Sequence, residues 1–93
     1  MYMMVDAMAQ SGEELGLPCD VALKLAAKSM EGSAKMVLQT EIEPEQLKNN
    51  VCSPGGTTIE AVKTLENEGF ADTLRAAINA CVEKGNKLDA NLP

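Results

Sequence analysis

Asp20-Val21-Ala22-Leu23-Lys24-Leu25-Ala26-Ala27-Lys28-Ser29-Met30-Glu31-Gly32-Ser33-Ala34-Lys35-Met36-Val37 is the stretch whose reading decides the fold. Ala22, Ala26, Ser29 and Ser33 recur at intervals of four, three and four residues, with Leu25, Met36 and Val37 flanking them, which is the repeat of one helix face. The stripe is narrow and built from small side chains, so a second helix can approach it closely. Gly32 beside it gives up about 1 kcal/mol of helix propensity relative to Ala, and such a cost points to a packing reason. Packing within the chain and packing against a second subunit both fit. Pro18 followed by Asp20 is a good start for this helix, because proline suits a first turn and a carboxylate faces the positive end of the dipole. The spacing predicts a helix running to about Thr40.

The pattern extends outward in both directions. Upstream, Met1, Val5, Met8 and Leu15 recur at helical spacing until Gly16-Leu17-Pro18 breaks it, and the sequence is expected to open inside a helix. Its methionines read as a core or interface face, since Met fills irregular gaps. Downstream, Glu41-Ile42-Glu43 forms a turn and Pro44 opens a short helix through Leu47 to about Val51. Thr57 restarts a helix, forms a capping box with Glu60, and carries the apolar face Ile59, Val62 and Leu65 to a stop at Gly69. A last helix, led by Phe70 and Leu74 through Ala77, Ile78 and Cys81, is expected to fray at Gly85 and the tail Ala90-Asn91-Leu92-Pro93. No internal repeat or low-complexity segment interrupts this. The expected class is all-α, about five helices.

Composition agrees and narrows the function. Trp is absent, with one Tyr and one Phe, so Ala, Met, Leu and Val carry the apolar content, as suits close helices better than a sandwich of sheets. The chain has 93 residues, just above the size of about 80 at which a lone core is marginal, so a second copy is an expected source of stability. A net charge of −6 and few arginines disfavour nucleic acid and, on the same ground, an anionic membrane, because both draw affinity from clustered cations. Met1 to Val5 runs into Asp6 without a basic leader, so it reads as neither a signal peptide nor a span. Cys19, Cys52 and Cys81 are odd in number, widely spaced and accompanied by no His, which gives neither a disulfide framework nor a metal-ligand spacing. They read as reduced thiols of a cytoplasmic protein.

Chemistry is concentrated in Ser53-Pro54-Gly55-Gly56-Thr57-Thr58. The two glycines permit positive φ and put no side chain over the backbone, so main-chain N–H groups can face a ligand. The helix that follows adds unpaired N–H groups and the positive end of its dipole, and the hydroxyls of Ser53, Thr57 and Thr58 donate or accept. A small anion fits, and a carboxylate best, since the loop holds no Lys or Arg to neutralise a polyphosphate. A P-loop would also need a lysine that is missing here. An ordinary corner followed by a helix cap fits the same residues equally well. Asp6, Glu31, Glu60 and Glu66 stand singly on helices, where a solvated or capping role is usual, and Cys52 reads as filler beside a turn. Nothing resembles a triad.

Val51-Cys52-Ser53-Pro54-Gly55-Gly56-Thr57-Thr58-Ile59 resembles the signature of pyrroline-5-carboxylate reductases, Val-x-Ser-Pro-Gly-Gly-Thr-Thr and then an apolar residue. Asp6-Ala7, Gly16-Leu17-Pro18, Ala22-Leu23-x-Leu25-Ala26, Gly32-x-Ala34-Lys35-Met36, Leu65-Glu66 and Gly69-Phe70 extend the similarity over nearly the whole chain. It departs at Lys84-Gly85, where the family commonly has Arg-Ser.

The resemblance implies an enzyme that reduces the C=N bond of Δ1-pyrroline-5-carboxylate to L-proline with NADPH or NADH. It implies a Rossmann domain before the helical one, and helical domains of two subunits interlocked in a homodimer, with assembly beyond the dimer left open. The active site would lie between a nucleotide domain and the helical domains. Ser53, Pro54, Gly55, Gly56, Thr57 and Thr58 would hold the substrate carboxylate, and Thr58 would hydrogen-bond the ring nitrogen. No Gly-x-Gly-x-x-Gly follows a strand in these residues, so they are expected to bind no cofactor and, alone, to reduce nothing. The alternatives are a stand-alone, non-catalytic helical association module and a helical domain of another imine or hydroxyacid reductase.

Overall fold

A computed structural model describes residues 1–90, and the chain divides into two units, Met1–Lys48 and Asn49–Pro93. The first unit is an antiparallel helical hairpin. α1 spans Tyr2–Glu14 and α2 spans Cys19–Thr40, joined by a connection short enough to fold one helix back on the other. Gly16 makes that corner at φ 106°, and the Leu17 amide donates to the Gly12 carbonyl at 3.0 Å. Pro18 stands at the N-cap of α2 with φ −58° and ψ 146°, one position earlier than the first-turn place its ring suggests.

The hairpin closes on small residues. Ala9, Ala22 and Ala26 are its buried side chains, with Val5 packed against them, so the stripe at Ala22 and Ala26 packs within the chain while Ser29 and Ser33 remain exposed. A Cβ added at Gly12 would come within 3.1 Å of the Ala22 Cβ, a distance that shows how near the two backbones lie. The inward face of α1 is therefore Val5, Ala9 and Gly12. Met8 and Leu15 do not share it, because axes this close leave no room for long side chains between them. Met8 is pushed to the flank, and Leu15 falls in the corner at 88% exposure. α2 ends at Glu41, whose φ of 58° is the left-handed turn-off usually given to Gly. The Thr40 hydroxyl accepts the Ile42 amide at 3.2 Å there. α3, Pro44–Asn50, runs across the boundary between the units.

α4, Thr57–Asn67, and α5, Phe70–Ala90, make up the second unit. The stop at Gly69 holds: it adopts φ 75° and its amide donates to the Glu66 carbonyl at 3.1 Å. Two expectations are corrected. The capping box does not form, because the N-cap is Gly56 and Thr57 is already the first helical residue, leaving no side-chain cap. A cap must have extended φ and ψ, which Gly56 has at −82° and 174°; Glu60 turns instead towards Lys63 at 3.9 Å. Nor does α5 fray at Gly85. The helix continues to Ala90, since one glycine costs about 1 kcal/mol and good helix formers surround it. Asn91, Leu92 and Pro93 lie outside the described residues.

All five elements are helices, and among the described residues there is no strand. None of the described residues of the second unit is buried. The chain exposes 7818 Å² in all. Surface scaling gives about 5200 Å² for a globular protein of this mass, and about 6300 Å² for two separate globules of half the mass each. Even as two bodies, then, it leaves about 1500 Å² more in water than their sizes require. No helix among the described residues is long and apolar enough to cross a membrane.

Candidate anion-binding loop

The loop that carries the chemistry is built between α3 and α4. The Cys52 amide donates to the Asn49 carbonyl at 3.1 Å and closes α3, leaving Cys52 half-buried at the loop entrance. Ser53, Pro54, Gly55 and Gly56 then form one tight turn, in which the Gly56 amide donates to the Ser53 carbonyl at 2.9 Å. Pro54 sets the first central position and Gly55 takes φ 72° at the second, which makes this a type II turn.

The two glycines are required for different reasons. Gly55 has nothing within 4 Å of where a Cβ would sit, so its constraint is purely the sign of φ. At Gly56 φ is ordinary, but a Cβ would lie 3.1 Å from the Ser53 carbonyl oxygen and 3.4 Å from the Ser53 Cβ. The first glycine makes the bend and the second lets the turn close.

This geometry shifts the available donors. The Gly56 amide, one of the two expected to face a ligand, is occupied by the turn itself. What the turn leaves open is the start of α4. Thr57, Thr58 and Ile59 occupy its first three positions, where no carbonyl of the helix can reach the amides, and no side chain caps them. Thr57 and Thr58 are exposed, so hydroxyls and amides lie on one short segment at the positive end of the dipole. Uncapped amides at a helix start are the kind of group to which a small anion is attracted. The pattern of Ser53 to Thr58 was legible in the sequence, but the division of labour between its glycines depends on φ and carbonyl positions that no spacing records.

Elsewhere the candidates are few. Among the described residues no group of three His, Cys, Asp or Glu is placed to share a metal ion. Cys19 is exposed, and the Glu13 carboxylate raises its thiol pKa, accepting its hydrogen bond and repelling the thiolate. In the first unit an apolar groove of about 400 Å³ opens between Met1, the N-cap of α1, with Met4 and Met8 on that helix, and Ser29, Ser33 and Val37 on α2. The uncovered half of the small-residue stripe forms its floor.

Comparison with known proteins extends the loop's pattern to the chain. Residues 1–88 match the family described as pyrroline-5-carboxylate reductase dimerisation. The chain belongs to that family. The pyrroline-5-carboxylate reductase of Escherichia coli strain K12 is 49% identical over 87 residues, 94% of this chain and 32% of that protein. Pyrroline-5-carboxylate reductase 2 of Bos taurus is 44% identical over 89 residues, 96% of this chain and 28% of its own. Among solved structures, a pyrroline-5-carboxylate reductase from Coxiella burnetii superposes with a TM-score of 0.89 at 34% identity, covering 94% of this chain and 32% of that one. The Plasmodium falciparum pyrroline carboxylate reductase, solved with NADP bound, gives 0.86 at 31%, covering 89% and 32%. The chain thus spans about a third of the length of the relatives it matches. Its five helices agree with the dimerisation domain that the sequence suggests.

Proposed function

We propose that this chain is the dimerisation and substrate-carboxylate-binding domain of a cytoplasmic pyrroline-5-carboxylate reductase, working in proline biosynthesis. The loop is the observation that carries the reading. A type II turn delivers the chain to an uncapped helix start within the segment Ser53 to Thr58, where the resemblance puts the substrate acid. The amides of Thr57, Thr58 and Ile59, with the Ser53 and Thr57 hydroxyls, hold the carboxylate of Δ1-pyrroline-5-carboxylate. Pro54, Gly55 and Gly56 hold the turn. The iminium N–H of the ring donates to the Thr58 hydroxyl oxygen, which fixes the orientation of the C=N bond.

A protonated imine is already electrophilic, so orientation is most of what the protein must contribute. That is consistent with a loop that offers amides and hydroxyls and no acid or base. The residues present do not fit a dinucleotide: the described ones contain no strand, and no Gly-x-Gly-x-x-Gly occurs. The reading therefore assigns NADPH or NADH to a part of the enzyme beyond these residues. For partners, it assigns a second copy of the chain, which the exposed area supports.

The test is titration of the ¹⁵N-labelled chain with L-proline. Saturable shifts of the Thr57, Thr58 and Ile59 amides are expected, with weak affinity because one wall of the pocket lies elsewhere. Shifts absent at high ligand concentration, in a chain that light scattering shows to be dimeric, would leave only an association module.

A further inference from the structure

We draw no further inference here: the strongest candidate, the apolar groove between α1 and α2 with Met4, Met8 and Met30 along its walls, lies on the face that the dimer proposed above covers, so that filling it with a second copy restates an established property of the protein.

Discussion

Replacing Gly55 by alanine isolates the backbone contribution of the turn. Its φ is 72° and nothing lies within 4 Å of the position a Cβ would take, so steric contact adds nothing. The left-handed region costs an L-residue about 1–2 kcal/mol relative to glycine, which lowers the equilibrium constant for the type II turn about 5- to 30-fold, and its population by the same factor where the turn is the minor state of the free loop. Proline affinity, read from amide shifts at Thr58, should fall by the same factor. Asparagine tolerates this region better, so Gly55→Asn should lie between wild type and Gly55→Ala. Gly69 supplies the control: its φ is 75° and its surroundings are equally open. Gly69→Ala incurs the same backbone cost at the α4–α5 junction, and should lower the melting temperature by about 4–8 °C per kcal/mol with proline affinity unchanged. Equal affinity for wild type and Gly55→Ala would refute the argument, because the turn would then have no part in presenting the amides. Equal losses for the Gly55 and Gly69 substitutions would refute it too, by tracing the effect to global stability.

Two further outcomes follow from the hairpin. Ala22→Leu should destabilise the first unit by about 1–3 kcal/mol, the cost of overpacking, because Ala22 is 3% exposed and already faces Gly12; thermal melts followed by circular dichroism measure it, and an unchanged melting temperature would contradict the close approach. Glu13→Gln should lower the raised Cys19 pKa, since the carboxylate both accepts the thiol's hydrogen bond and repels the thiolate. Iodoacetamide labelling of Cys19 should quicken near neutral pH and converge with wild type at pH values above both thiol pKa values; equal rates near neutral pH would remove Glu13 as the cause.

The helices were legible because their signals are local. Pro44, Gly69 and the small stripe of α2 each act through the few residues around them, and each marks an observed boundary or face. What spacing could not supply was distance between elements. Met8 and Leu15 fit a helical face as well as Ala9 and Gly12 do, and only the separation of α1 from α2 determines that small residues lie between them. The same applies at Thr57. Threonine followed three residues later by glutamate reads as a capping box, yet Gly56 is already extended and takes the cap, so the threonine enters the helix. Gly85 misled because its local cost is real but small beside the helix formers around it. At the loop, residue types marked the segment but not its hydrogen bonds: the closing of the turn engages the Gly56 amide, and the start of α4 is left without a side-chain cap.

The placement of the loop links its two proposed roles. Ser53 to Thr58 belong to the unit in which none of the described residues is buried, so little within that unit fixes the start of α4 in one position. A site that must align several amides on one carboxylate needs such fixing, and ordering them on binding would cost affinity. If a second copy covers α5, it supplies the missing packing, and the loop is ordered by dimerisation before any ligand arrives. Dimer formation and proline binding are then thermodynamically linked, so each strengthens the other by the same factor. Diluting the chain through its dimer dissociation range should therefore weaken proline binding, and saturating proline should shift that range to lower protein concentration by the reciprocal amount. Affinity measured at Thr58 across protein concentrations decides the matter: a constant value through the dimer-to-monomer transition would mean that α4 is held in place by its own unit alone.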